Sequence, residues 1–327
     1  MTAVINYNVA KSQDVNKPWW KPFPKKMKLG AAYNLFDGEE LLEASILSIK
    51  QNVDYVCVVY QETSNFGIKC NESLLPCLFK LRNAGLIDEL IPYIPKTFSL
   101  EEKKQLVSSR ATGLDLGGAT PETISDTFFN EMTKREMGRL ACEKAECTHF
   151  MSMDTDEFYL TNELFNLKQL VQKRGYEGVL AKMRYFFKYP ECELLPLDEE
   201  NCVPVMYEIR KNMKFRLSVP YPFMIDPTRR LAECRLLYVC PRTDLVMYHY
   251  SFVRKSIESK VMNVSNRNNY NDVRQFLNKF QSWSPSKPLI HPHPYFKKLF
   301  QKTRIVKNFF NIECNSLESF GEYDIMI

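Results

Sequence analysis

The sequence lacks a long hydrophobic run. No apolar stretch approaches the ~20 residues that a membrane-spanning helix needs. Residues 1–27 also lack the continuous apolar segment of a signal peptide. None of the ten cysteines forms a Cys-x-x-Cys pair, and most lie within apolar segments, as is typical of reduced intracellular proteins. We therefore expect a soluble, cytoplasmic protein.

Internal repeats and low-complexity blocks are also missing. The sequence also lacks a large excess of charge of either sign. The net charge is +5 over 327 residues. It permits anionic partners such as nucleotides or a membrane surface, but it does not favour nucleic acid. The hydrophobic content of 45% and charged content of 25% are ordinary for a globular chain, which has room for one large or two modest domains.

Strand and helix patterns alternate from Lys28 onward. The pattern predicts strands at 28–36 and 53–61, a third strand or turn at 87–95, and helices at 37–52 and 72–85 between them. This β-α-β-α-β order favours a parallel sheet flanked by helices. A connection at 96–122, a long helix at 122–146 and a fourth strand at 147–153 follow. We expect Asp37 to cap the first helix.

The second half has a more antiparallel character. Its predicted strands are 175–190, 203–211, 214–223 and 235–253, and its predicted helices are 255–263 and 271–283. We divide the chain into an N-terminal arm (1–27, anchored by Trp19 and Trp20), a domain (28–285, in halves 28–160 and 161–285) and a basic amphipathic tail (286–327).

Three carboxylates crowd into four residues after the fourth strand, in "MDTDEF" (153–158). Like charges this close repel, so a metal ion, a helix N-terminus or water should neutralise them. One interpretation is a cap for the helix predicted at 163–173. The other is a site for a divalent cation and a diphosphate, because hard cations take carboxylate oxygens and share phosphate ligands. The position at a strand end favours the second, since open α/β sheets bind ligands there.

The order β-α-β-α-β, a long helix and then "FMSMDTDEFY" resembles GT-A glycosyltransferases of the family-2 type, over roughly residues 28–280. The resemblance implies a Rossmann-like α/β fold, with a mostly parallel sheet flanked by helices and a mixed or antiparallel acceptor half. It also implies a hexosyl- or pentosyltransferase. Such an enzyme moves a sugar from a nucleotide-diphosphate donor, with a UDP-sugar favoured, to a hydroxyl of a glycan, glycolipid or protein.

The same resemblance implies an Asp-x-Asp motif that holds Mn²⁺ or Mg²⁺ against the donor diphosphate. Asp156 would bind the metal directly, Asp154 would contact the metal or the ribose, and His249 would be a further metal ligand. Arg254 and Lys255 would lie near the phosphates, where positive charge stabilises a departing diphosphate.

Other residues are implied to contact the donor. Ala32, Tyr33 and Asn34, after the first strand, would line the base and ribose pocket. Gln61 stands where the family often has an acidic residue beside the nucleobase, so the resemblance does not specify which nucleobase the donor carries. Arg135 and Arg139 share a face of the long helix and would reach the donor, or else are solvated helix charges.

An inverting transferase also needs a general base near the acceptor hydroxyl. Asp226, Glu208 and Glu157 are the candidates, although Asp226 also fits an ordinary Asp-Pro-Thr turn and Glu157 a helix cap. The sequence does not decide between inversion and retention.

Three alternatives remain at this stage. A nucleotidyltransferase would want a Gly-rich phosphate loop, but "YNLFDGEE" offers only Gly38. A non-catalytic nucleotide- or sugar-binding module would bind ligand without turnover. Finally, the basic tail could contact a membrane or an RNA, or it could be a packed helix with a solvated basic face.

Overall fold

The computed structural model describes residues 8–9, 26–110, 120–211, 213–217, 223–231, 234, 236–263, 273–291, 293–315 and 317. Within these residues there are twelve strands. They are β1 (Asn8–Val9), β2 (Leu29–Leu35), β3 (Tyr55–Tyr60), β4 (Glu89–Pro92), β5 (His149–Asp154), β6 (Glu157–Phe158), β7 (Gly178–Phe187), β8 (Cys192–Leu195), β9 (Val203–Glu208), β10 (Leu236–Val239), β11 (Val246–Phe252) and β12 (Lys302–Ile305).

The same residues form eight α-helices and one 3₁₀ turn at Pro227–Arg229. The helices are α1 (Glu39–Ile49), α2 (Leu74–Asn83), α3 (Leu100–Arg110), α4 (Asp126–Lys144), α5 (Thr161–Arg174), α6 (Ile257–Asn263), α7 (Val273–Gln281) and α8 (Pro294–Leu299).

A parallel sheet forms the first half. Strands β4, β3, β2 and β5 lie side by side and all run in the same direction. Helix α1 packs on one face, where Ser45 hydrogen-bonds the hydroxyl of Tyr33. Helix α4 packs on the other face so closely that a Cβ on Gly138 would lie 2.6 Å from the Cβ of Ala32. Since both faces are covered, these strands are almost continuously apolar.

The second half adds mixed pairing. Strand β9 runs antiparallel to both β5 and β7, and β10 and β1 extend the sheet beyond β7. The second half of β7 leaves this sheet to pair with β11 in parallel. Strand β11 in turn pairs antiparallel with β6, while β8 connects β7 to β12.

The predicted fold class is confirmed: the chain is an α/β protein with a mostly parallel central sheet flanked by helices and a mixed second half. The predicted long helix and fourth strand are present as α4 and β5. None of the helices among the described residues has the length and apolar character that crossing a bilayer requires.

Three expectations need correction, and one cannot be compared. Residues 96–122 are not a plain connection, because α3 lies within them; it has no buried residue and therefore shows no apolar period. Within the described part of 214–223, no strand forms, and Phe215 makes only an isolated bridge to Leu231. Helix α1 is capped by Gly38 and not by Asp37. Trp19 and Trp20 lie outside the described residues.

Candidate functional site

The carboxylate cluster lies where β5 ends, at the carboxyl edge shared by the parallel strands. Asp154 is the last residue of β5, and the chain turns through Asp156 into β6. Because β6 pairs with β11, Glu157 lies directly opposite His249. The fold therefore joins segment 153–158 to the strand that carries His249.

Arginine side chains neutralise two of the three carboxylates. Arg229 donates to Asp154 Oδ2 at 2.6 Å and to both oxygens of Glu157 at 2.5 and 3.0 Å. Arg135, from α4, donates to both oxygens of Asp154 at 3.2 and 3.3 Å and to Ser152 Oγ at 2.9 Å. Such charge-assisted, forked contacts are the strong form of the hydrogen bond.

The third carboxylate, Asp156, faces a different set of groups. Its Oδ2 accepts from Arg254 at 2.6 Å and from Lys260 at 3.2 Å. Its Oδ1 lies 3.7 Å from His249 Nε2. Arg254 also donates to the backbone carbonyl of Asp37 at 3.4 Å, so it connects the loop after β2 to the cluster.

These charges decide the ionisation of the cluster. Burial alone would raise the pKa of Asp154, but the guanidinium groups of Arg135 and Arg229 outweigh it and hold that pKa well below the usual range. Burial of Asp156 is likewise outweighed, by Lys260, Arg254 and His249, so its pKa is also well below normal. Both aspartates are therefore anionic at neutral pH. Glu157 differs, because burial raises its pKa against the charge of Arg229.

The helix-cap interpretation of the cluster is wrong. Helix α5 begins at Thr161, its N-cap is Leu160, and no side chain caps it. Strand β6 separates the carboxylates from this helix. What neutralises the cluster is a set of basic side chains from α4, the 3₁₀ turn, the end of β11 and α6.

The residues predicted from the first strand divide by face. Tyr33 is fully buried and bonds Ser45, and Ala32 is buried against Gly138 of α4. Asn34 is half-buried at the strand end and pairs in register with Asp154. Of the three, Asn34 is the register partner of a cluster carboxylate.

The predicted donor contacts on the next elements separate in a similar way. Gln61 is buried and accepts from Lys134 at 2.5 Å. Arg139 binds Glu136 and Glu143 of its own helix, whereas Arg135 reaches the cluster.

The basic residues after β11 also differ from each other. Arg254 is buried at the cluster, as described above. Lys255 is exposed, and its backbone N–H donates to Glu40.

The candidate bases also lie in different places. Asp226 caps the 3₁₀ turn and its carboxylate, 43% exposed, lies 3.6 Å from Arg135. Glu157 is buried and held by Arg229. Glu208 pairs with His149, at the other end of β5 from Asp154, and binds Arg210, so the structure does not bring it to the cluster.

Sequence reasoning missed Arg229 and Lys260. Arg229 follows Asp226 in "DPTRR", which we interpreted as a turn, and nothing local shows that it reaches β5, 75 residues away. Lys260 lies in a short helix with other polar residues, Glu258 and Ser259. The sequence does show three neighbouring carboxylates with no basic residue beside them, which indicates that basic side chains or a cation must come from elsewhere. It does not show which basic residues these are.

Several buried polar atoms around the cluster have no hydrogen-bond partner among the described residues. They include Asn34 Nδ2, Asp37 Oδ2 and His249 Nδ1. An unpaired buried polar group costs roughly 1–3 kcal/mol, so such groups point to a ligand or water.

A cavity of about 170 Å³ opens nearby, past the ends of β3 and β4. It is lined by Tyr60, Glu62, Thr63, Pro92, Tyr93, Ile94 and Pro95. It lies at the same carboxyl edge of the sheet as the cluster.

Comparison with known proteins gives fold-level neighbours alone. No family model matches the sequence, and no curated protein matches it. TarS 1–349 from S. aureus is 13% identical over 80% of this chain and 74% of that chain, with a TM-score of 0.40. The complex of TarS 1–349 with UDP is 14% identical over 49% of this chain and 36% of that chain, with a TM-score of 0.30.

The mannosyltransferase Ktr4p from S. cerevisiae is 9% identical over 57% of this chain and 46% of that chain, with a TM-score of 0.28. The chain thus spans between about a third and three quarters of these proteins. Likenesses at TM-scores of 0.28 to 0.40 do not specify function, so the functional argument rests on the site.

Proposed function

We propose that the protein is a glycosyltransferase that moves a sugar from a nucleotide-diphosphate donor to a hydroxyl of a glycan, lipid or protein. A UDP-sugar is the favoured donor. One observation carries the proposal. Asp156 and His249 face each other at the carboxyl edge of the parallel strands, with Arg254 and Lys260 beside them. This arrangement offers ligands for a cation and positive charge for a diphosphate.

The pair fits a divalent cation, Mn²⁺ or Mg²⁺. Two atoms that each bind one ion at about 2.1 Å lie about 3–4 Å apart, and Asp156 Oδ1 lies 3.7 Å from His249 Nε2. No group of three or more His, Cys, Asp or Glu residues suited to a metal occurs within the described parts of the chain. Two protein ligands suit a cation that takes its remaining oxygens from a diphosphate and water. When bound, the cation would supply charge that neutralises the departing diphosphate.

The arginines of the cluster then have two roles. Arg135 and Arg229 hold Asp154 ionised and in place, through contacts of 3.2 and 2.6 Å. Asp154 is thereby an anionic acceptor at the strand end, suited to a ribose hydroxyl or to a cation-bound water. Arg254 and Lys260 supply positive charge at Asp156, where a diphosphate would leave.

Asp226 is the carboxylate that we propose as the general base. It is more exposed than Glu157, and it lies within 3.6–3.7 Å of the two arginines that hold Asp154. Glu157 has its oxygens occupied by Arg229, and Glu208 lies at the far end of β5. A general base must reach the acceptor hydroxyl, and Asp226 has the most exposed carboxylate of these residues.

Nucleotide binding tests the proposal. Thermal stability and calorimetric binding are measured with UDP, GDP, dTDP and CDP, each with and without Mn²⁺. We expect Mn²⁺-dependent stabilisation by one nucleotide, lost in Asp156→Asn and in His249→Ala. His249 is 24% exposed, so its truncation threatens folding less than a change at buried Asp156.

Glu208→Gln is the matched control, because it removes a carboxylate at the opposite end of the same strand and should leave binding intact. No effect of any nucleotide would overturn the proposal and leave a structural ion-pair network. Nucleotide binding without sugar turnover from any donor would instead identify a binding module.

A further inference from the structure

Charge is distributed unevenly along the chain. Residues 273–312 contain eight Lys and Arg residues and no Asp or Glu. Because the whole chain has 44 basic and 39 acidic residues, the remainder has 36 and 39 and is net negative. We call residues 273–291 and 293–312 the basic segment. Its basic residues are Arg274, Lys279, Lys287, Lys297, Lys298, Lys302, Arg304 and Lys307.

Aromatic side chains anchor the basic segment on one face of β7. Tyr185 and Phe187 are two residues apart on this strand and therefore point to the same side. The ring of Phe187 lies 5.3 Å from that of Phe280 in α7 and 5.0 Å from that of Trp283. The ring of Tyr185 lies 5.2 Å from that of Phe300, just after α8. The segment thus forms a layer with its apolar side inward.

The basic side chains of the segment are exposed to solvent and do not take part in its packing on β7. Each of the eight is exposed, whereas the aromatic anchors Phe276, Phe280, Trp283 and Phe300 are buried. Arg304 pairs with Glu193, but in the described chain the other seven basic residues form no ion pair. A solvated basic face is ordinary on one helix. Here exposed basic residues continue over two helices, a loop and a strand, and Arg304 is the one that an acidic side chain compensates among the described residues.

The chemistry of the layer selects its partner. Six of the eight residues are lysines, which act as mobile point charges and do not make the forked contacts by which arginine reads individual phosphates. A spread of lysines on an outer surface suits a continuous sheet of negative charge. We propose that the basic segment docks the protein on an anionic lipid surface.

The layer also borders the candidate site. The ring of Tyr185 lies 5.4 Å from that of His249, which is its register partner in β11. Docking would therefore hold the carboxylate cluster beside the membrane. This inference does not depend on the proposed function, since a membrane-bound protein of any activity would show it.

Vesicle co-sedimentation of the full chain tests the proposal. The vesicles contain phosphatidylcholine alone or phosphatidylcholine with phosphatidylglycerol, at low and high salt. We expect binding to the anionic vesicles only, and its loss at high salt because surface charge is screened. Lys297→Gln/Lys298→Gln should lower the partition coefficient by roughly thirtyfold, the factor expected for two surface lysines.

Lys104→Gln/Lys144→Gln is the matched control, since it removes the same charge from exposed positions on α3 and α4. It should bind vesicles like the unmodified protein. Equal binding to neutral and anionic vesicles, or an equal loss in both double variants, would overturn the proposal. Binding to soluble polyphosphate without binding to vesicles would overturn it as well, and would assign the segment to an acidic polymer.

Discussion

At the residue scale, the cluster shows that the protein's own basic side chains can neutralise carboxylates that are close together in the sequence. Asp154, Asp156 and Glu157 are matched by Arg135, Arg229, Arg254 and Lys260. Arg229 is 2% exposed and serves two carboxylates at once. Removing one partner of such a buried pair leaves an uncompensated charge, which is why these residues constrain one another.

Replacement of Gly38 tests one of these contacts, the one between Arg254 and Asp156. Its φ is +90°, and a Cβ there would lie 1.2 Å from the Nη1 of Arg254. Gly38→Ala should therefore lose about 1 kcal/mol of stability, because alanine disfavours a positive φ. It should also displace Arg254 from Asp156. We expect a fall in the free energy of unfolding of roughly 2–3 kcal/mol, measured by urea denaturation.

Gly67→Ala provides the control for this variant. Gly67 has a φ of +81°, but nothing lies within 4 Å of an added Cβ. It should show only the backbone cost. If the two variants were equally destabilised, the contact between Arg254 and Asp156 would contribute nothing to stability.

The residue scale also shows which residues of the site the sequence can associate with each other. Asp156 and His249 are 93 positions apart, yet the resemblance to a known motif pairs them and the structure places them 3.7 Å apart. Arg229 belongs to no such motif, and its contact depends on how the turn at 227–229 folds back on β5. The role predicted for Tyr33 at the nucleotide pocket stays a prediction; its side chain is fully buried and its hydroxyl bonds Ser45, which the strand pattern alone does not show.

At the element scale, helix α4 carries Arg135 into the site and covers one face of the parallel strands. The sequence predicts this long helix, whereas it does not predict α3, which buries nothing. Its start is fixed by Ser125, whose side chain accepts from the backbone N–H of Phe128 at 3.3 Å. The position of Arg135, ten residues later, depends on this start.

Ser125→Ala should lower the free energy of unfolding by about 1 kcal/mol, because an orphan N–H of the first turn loses its acceptor. Chemical denaturation of the two proteins measures the difference. Ser125→Asp should keep the stability near that of the unmodified protein, since a carboxylate caps the helix and favours its positive end. An aspartate variant as unstable as the alanine variant would refute the capping role.

At the scale of the whole molecule, the basic segment is joined to the second half of the domain through His291. Its ring is buried against Phe252 and Phe187, at centroid distances of 4.6 and 5.8 Å. Burial lowers the pKa of His291 from 6.5 to about 3. The folded protein therefore holds this side chain neutral, while the unfolded chain takes up a proton below pH 6.5.

Stability should consequently fall as the pH drops from 6.5 towards 3, by roughly 1.4 kcal/mol per pH unit from this group. Above pH 6.5 His291 contributes no pH dependence. His291→Gln should show a shallower loss over the same range, as measured by urea denaturation at successive pH values. His293→Asn, which keeps an acceptor for the N–H of Tyr295 at the start of α8, should retain most of the slope. Identical slopes for the unmodified protein and His291→Gln would contradict this account.

The residues after position 286, which we separated from the domain as a tail, pair with a strand of that domain. Strand β12 pairs with β8 over four residues, from Lys302 opposite Leu195 to Ile305 opposite Cys192. A protein shortened before Lys302 would present the backbone N–H and C=O groups of β8 to solvent as an open sheet edge. Open edges recruit strands from other molecules. Aggregation of such a shortened protein would follow from the loss of this one strand, whatever the fate of its activity.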